Sequence, residues 1–158
     1  MSYIRLANFI QLYTANGGTE RNKGRYHNSM PGTTLSYNRI NYSYLSCVYQ
    51  GAANNRTGDN LEAQLIVSVN EISSGIAVEA VQERWHVRVY TAVLNQNGGV
   101  SRVLTIEEWM AASLSYDSEA MEVVLSSGID AVGANAPTRV LTRDIVGSLP
   151  TTANIQAQ

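Results

Sequence analysis

One cysteine, Cys47, stands among 158 residues, which excludes an internal disulfide and any thiolate metal cluster within one chain. Its setting, Tyr44-Leu45-Ser46-Cys47-Val48-Tyr49, reads as a strand, so the thiol is expected as a small packed side chain rather than a nucleophile. Histidine is nearly as scarce: His27 and His86 are the pair available, and no His-x-x-x-His or His-x-x-Glu-His spacing links them to a zinc site. Charged residues make up 15% of the chain, against about 25% in ordinary globular proteins. The net charge of -2 leaves no basic footprint for nucleic acid or an anionic membrane. Lys23 is the sole lysine, and the other cations are arginines, which suit bidentate pairing at interfaces. Little charge with Tyr and Arg retained is the composition of a protein–protein contact surface. Long apolar runs are missing as well. The opening MSYIRLANFIQLY has no cationic lead and is interrupted by Arg5, Asn8 and Gln11, so neither a secretory signal nor a ~20-residue membrane span is expected, and a soluble chain is.

Titratable groups do not converge on a reaction. Asp117, Glu119 and Glu122 cluster in sequence, but on a strand Glu119 and Glu122 point to opposite faces, which does not make a glycosidase pair. Glu107-Glu108 is expected as a solvated bend. Gly58-Asp59-Asn60 has too few oxygen ligands for calcium and reads as an Asx-type turn. Gly17-Gly18 and Gly98-Gly99 lack the following helix and Lys-Ser/Thr pair of a phosphate loop. No catalytic, cofactor-binding or metal-binding residue is assigned, and the chain is not expected to be an enzyme. Tyr3, Tyr13, Tyr37, Tyr42, Tyr44 and Tyr49 lack the interleaved cations of a base-stacking surface and read as half-buried strand or interface residues.

Strand signals fill the chain. Residues 3–13 are aromatic and branched, and Gly17-Gly18 closes them with a turn. Residues 19–36 read as a polar loop with a short strand near Tyr26. Residues 37–50 suit a pleated surface, and 60–69 alternate with Leu61, Ala63, Leu65, Val67 and Val69 on one face. One short helix fits 73–83, with Ser73 or Ser74 as its N-cap. Trp85–Leu94 alternates again, and Asn97-Gly98-Gly99 then marks a hairpin into a strand from Val100 that continues to Leu114. Ser115-Tyr116-Asp117 is a bend before a last strand over 118–127. A chain long enough to bury about 70% of its unfolded surface, with these elements, predicts a mainly β single domain, a barrel or sandwich with at most one short helix. The domain is placed at 1–140, with 141–158 as an extended C-terminal arm.

The order of these segments resembles a known pattern. An opening strand with FIQLYTANGG, a short RYH strand, and YNRINY of the form Y-N-x-I-x-Y come first. LEAQLIVSVN, ending at Asn70, a helical turn, WHVRVYTAVL and EEWMAASLSYDSEAMEVVLSSGIDAVGANAPTR follow. Over roughly residues 3–140 this is similar to the N-terminal part of lambda-type phage minor tail protein L and related tail-hub families. The resemblance implies a hub-type β-barrel and a structural virion protein of a phage tail tip or baseplate, made in the host cytoplasm. Its implied partners are a tail-tube or distal tail protein and a central hub, spike or fibre, with no nucleic acid and no membrane insertion. A homo-oligomeric ring is implied, a trimer favoured over a hexamer. The cysteine-rich iron–sulfur domain of that family has no counterpart here, so no cofactor is carried over. Interface residues expected are Tyr42, Tyr44, Tyr49, Asp130, Arg139 and Arg143, with contact also from segments 14–34 and 141–158. Within IDAVGANAPTR, Asp130 and Arg139 are expected as an ion pair in a return toward the ring interface. The alternative is a ligand- or carbohydrate-binding β module with Trp85, Trp109 and tyrosines as a stacking platform.

Overall fold

A computed structural model describes residues 4–51 and 62–127. Gly58-Asp59-Asn60, Asp130, Arg139, Arg143, the return at 129–139 and the arm at 141–158 lie outside the described residues. The elements are β1 (Arg5–Asn16), β2 (Thr19–His27), β3 (Thr34–Tyr37), β4 (Ile40–Tyr44), β5 (Cys47–Gln50), β6 (Glu62–Ser68), α1 (Glu71–Gln82), β7 (His86–Leu94), β8 (Val100–Tyr116) and β9 (Ala120–Ser126). All nine described strands join one sheet in the order β3-β4-β2-β1-β7-β8-β9-β6-β5. The fold is therefore mainly β, with one helix among the described residues.

The sheet is curled without closing into a barrel. β4 runs parallel to β2 at Tyr26–Ser43 and His27–Tyr44, whereas β5 pairs antiparallel with β6 at the far end of the sheet. These two strands are consecutive in sequence. Leu45 and Ser46 carry the chain across the seam, with Leu45 N donating to His27 O at 2.9 Å and Ser68 N donating to Ser46 O at 3.2 Å. Register shifts at Leu12/Tyr13, at two points between β7 and β8, and at Ala111/Ser113 supply the bulges that bend long strands into this curl.

Period-two alternation then sorts side chains to two cores. Ile10 and Leu12 of β1, Val87 and Val89 of β7, Trp109 and Ala111 of β8, Met121, Val123 and Leu125 of β9, and Ala63, Leu65 and Val67 of β6 face inward. α1 lies on that inner face through Ala77 and Ala80, with Ile76 and Val81 beside them. On the other face of β1 and β7, Ala7, Phe9, Ala92 and Leu94 are covered by Leu35 of β3 and Tyr42 of β4. β1 and β7 thus carry core side chains on both faces, Ile10, Leu12, Val87 and Val89 on one and Ala7, Phe9, Ala92 and Leu94 on the other.

Several local expectations are corrected. The segment 19–36 is not a loop: β2 is nine residues long and pairs with β1 from Phe9–His27 to Asn16–Thr19. Gly17 and Gly18 turn it with φ of 59° and 84°, values that favour glycine. The strand expected over 37–50 is broken at Asn38-Arg39, both at positive φ (53° and 63°), in the two-residue turn between β3 and β4. α1 starts earlier than expected, capped by Asn70 rather than Ser73 or Ser74. Asn70 Oδ1 accepts from Ser73 N at 2.8 Å and Ser73 Oγ accepts from Asn70 N at 3.0 Å, a reciprocal capping box. Glu107-Glu108 sits in the middle of β8 and is not a bend.

The C-terminal end of α1 closes with Trp85 N donating to Ala80 O at 2.8 Å and Arg84 N donating to Val81 O at 3.3 Å, a Schellman arrangement. Its left-handed position is occupied by Arg84 at φ 51° instead of glycine. Left-handed backbone costs an ordinary residue about 1–2 kcal/mol, partly offset by the greater unfolded-state freedom of glycine. Arg84→Gly is therefore expected to raise stability by about 0.5–1 kcal/mol, read as a higher urea midpoint. An unchanged or lower midpoint means that the arginine makes a stabilising contact which outweighs the strain.

Candidate functional site

The interior of the curled sheet is the first place to seek a ligand, and it is filled. Ile10, Leu12, Leu65, Val87, Val123 and Leu125 close on Ile76, Ala77 and Ala80 of α1 around a residual apolar cavity of about 30 Å³. That is room for about one water, whereas small-molecule sites run to about 300–1,000 Å³.

Both tryptophans are used in the core. Trp109 is 8% exposed, and its Nε1 donates to Tyr49 Oη at 2.8 Å; Tyr49 Oη in turn donates to Glu107 Oε2 at 2.7 Å. Burial and the Glu107 carboxylate push the Tyr49 phenol well above its ordinary range. Trp85 is 2% exposed; its Nε1 donates to Glu83 Oε2 at 2.8 Å, and Lys23 Nζ lies 5.0 Å from its ring centroid. The Trp85 hydrogen bond, with Lys23 nearby, holds the Glu83 carboxyl below the usual range.

Both histidines contact neighbouring groups. His27 is fully buried, with Nε2 donating to Thr33 O at 2.9 Å and Nδ1 accepting from Ser29 N at 3.4 Å, which fixes one tautomer. His86 stacks on Tyr13 with centroids 5.1 Å apart. Arg88 organises the outer face beside them. It pairs with Glu20 at 3.0 Å and with Glu108, and lies 4.8 Å over the Tyr13 ring. Burial opposes the Arg88 charge, but the hydrogen bonds to Glu20 and Glu108 outweigh it and hold the guanidinium charged. Among the described residues no group of three or more His, Cys, Asp or Glu side chains could hold a metal ion.

Burial pushes the Cys47 thiol up to about 12. An unfolded thiol ionises near 8.5, so above that pH the folded state binds more protons than the unfolded state and stability falls. The expected loss approaches about 1.4 kcal/mol per pH unit from about pH 8.5 upward. In Cys47→Ala the decline should begin only near pH 10, where Tyr13, Tyr26, Tyr42 and Tyr49, whose phenols burial raises in the folded state, start to ionise in the unfolded chain. Urea midpoints across this range check it; an identical decline in both proteins refutes the assignment.

Of the expected interface tyrosines, Tyr42 is 1% exposed and packs edge-on against Phe9 at 5.1 Å, so it belongs to the core. Tyr49 is tied to Glu107 and Trp109, and Tyr44 is half-buried with its ring edge toward His27 at 5.9 Å. The segment 14–34 contributes a hairpin, not a free arm.

The surface carries what the interior does not. Ile4, Leu6, Val48, Leu104, Ile106 and Tyr116 are large apolar side chains left exposed. At the β8–β9 turn, Tyr116, Asp117, Ser118 and Glu119 are all exposed, and Tyr116 is 79% so. At the opposite end of α1, Thr14, Asn16, Arg21, Lys23, Glu83, Arg84 and His86 line an open polar groove of about 420 Å³. Sequence spacing gave no hint of this groove, since its residues come from β1, β2, the helix end and β7.

No family model matches this chain, and no curated protein matches it either. No helix among the described residues is long and apolar enough to cross a membrane.

Proposed function

We propose that the chain is a structural virion protein, an adaptor in a phage tail tip or baseplate linking the tail-tube side to a central hub, spike or fibre. The observation that carries this reading is the division between interior and surface. The core leaves about 30 Å³ empty, while large apolar side chains stand exposed on β1, β5 and β8, surface that contact with another protein would cover. A protein so arranged works through its outside, by contact with other proteins. The tail-tip assignment itself rests on the segment order FIQLYTANGG to EEWMAASLSYDS and its resemblance to tail-hub proteins.

The competing reading, a carbohydrate-binding module, needs aromatic rings lying open on a flat face. Trp85 and Trp109 are instead inside, each with its indole N–H engaged. Tryptophan emission is accordingly expected not to move on addition of oligosaccharides.

The test is localisation on particles. Antibody raised against the purified chain is expected to decorate the distal end of tails in negative-stain images of the phage that encodes it. Peptides of the chain should also appear in mass spectra of the purified particles. Particles free of both the label and the peptides sink the proposal.

A further inference from the structure

Two exposed features at opposite ends of α1 are complementary in charge, and each holds charged side chains with no ion-pair partner within the described residues. The first is the groove at the helix C-terminal end. Its Glu83 is already engaged by Trp85 Nε1 at 2.8 Å and Lys23 Nζ at 3.4 Å, and Lys23 also lies 3.7 Å from Glu79. Arg21 and Arg84 remain uncompensated on its walls, with His86, Thr14 and Asn16 beside them. Arg84 is held there at φ 51°, where glycine fits the backbone better, so the strained residue is also the one that presents a guanidinium to the groove. The second is the β8–β9 turn. Val69 N donates to Glu119 O at 3.3 Å, which anchors the turn beside the N-terminal end of the helix. From there Tyr116, Asp117 and Glu119 project into solvent, with Val69 and Val78 exposed on the flank.

We infer that the acidic β8–β9 turn of one copy docks in the Arg21–Arg84 groove of a second copy. Arginine pairs bidentately with carboxylates, and the Tyr116 ring adds a face for a guanidinium. The twelve residues of α1 set the two patches about 18 Å apart on one molecule. A patch and its complement at different places on one subunit make a head-to-tail contact, which closes into a ring when the rotation permits. The inference goes beyond the adaptor reading, since it concerns how copies meet each other rather than what else they meet.

Charge reversal tests it on the full chain. A groove-reversed protein (Arg21→Glu with Arg84→Glu) and a turn-reversed protein (Glu119→Lys with Tyr116→Ala) are compared with the parent by sedimentation velocity over a concentration series. The parent is expected to self-associate, less strongly as salt rises through about 0.1 M to about 1 M, where screening shortens from about 10 Å to about 3 Å. Each reversed protein alone should associate at least tenfold more weakly. Their equimolar mixture should recover association into pairs, because the unchanged turn of the groove-reversed protein meets the unchanged groove of the turn-reversed one. Arg84→Gly, which leaves the fold intact or firmer, should weaken association without lowering the urea midpoint. A parent that stays monomeric to about 1 mM, or reversed proteins that associate like the parent, overturns the contact. A monomeric chain that still labels tail tips would overturn this inference alone, whereas an associating chain absent from particles would overturn the adaptor reading alone.

Discussion

Phe9→Ala is expected to lower stability by about 3–5 kcal/mol, and Ile10→Ala, at the next position, by about 2–5 kcal/mol. Neighbouring residues on a strand point to opposite sides, so large costs at both require a strand buried on two faces. β1 is such a strand. Phe9 is enclosed by Tyr42, Tyr37 and His27, with ring centroids 5.1, 5.8 and 6.2 Å away. Ile10 lies opposite Val89 on the other face, within the core that α1 covers. Total stabilities of about 5–15 kcal/mol are usual, so either change removes a large share. Urea titrations with an unchanged slope check it. A cost confined to one of the two residues would mean that one face of β1 is open to water.

The second large effect is expected at Trp109. Trp109→Ala should cost about 3–5 kcal/mol, because it empties the inner face of β8 and removes the N–H that Tyr49 Oη accepts. Tyr49→Phe separates the two contributions. It keeps the ring volume and leaves Trp109 Nε1 and Glu107 without their shared partner, so a smaller cost of about 1–3 kcal/mol is expected. Near-ultraviolet circular dichroism should show the Trp109 band altered in Tyr49→Phe while the fold persists. If Tyr49→Phe is neutral, water has replaced the phenol and the network contributes little.

Much of the fold was legible because its signals are local. Trp85, Val87 and Val89 alternate plainly, and Asn97-Gly98 turns β7 into β8 as its left-handed preference requires, with Asn95 Oδ1 accepting from Asn97 N and Gly99 N. The misreadings have local causes too. β2 carries Thr19-Glu20-Arg21-Asn22-Lys23, a polar run that looks like loop, because all five residues are exposed and the backbone pairing with β1 is what holds them in a strand. Asn38-Arg39 hides a two-residue turn, since arginine at positive φ lies outside the usual Asn-Gly signal. Glu107 and Glu108 read as solvated because their partners, Tyr49 and Arg88, are 58 and 20 residues away. The same holds for the groove: no window of sequence contains Arg21 and Arg84 together. The burial of Trp85 and Trp109 follows from strand alternation, but the groups that satisfy their N–H bonds do not.

The pairing of β1 with β7 has a consequence for how the chain comes into being. β1 is complete once Asn16 is made, and the β1–β2 hairpin can close soon after, yet the β7 edge that covers its other side arrives only with His86–Leu94. At ribosomal speeds of about 5–20 residues per second, the interval is roughly 4–14 seconds. Through that time the nascent chain holds out an unpaired edge with apolar side chains on both faces, the kind of surface that chaperones grip and that neighbouring chains invade. Assembly of this protein therefore passes through a stage in which β1 waits for its second neighbour until β7 is made.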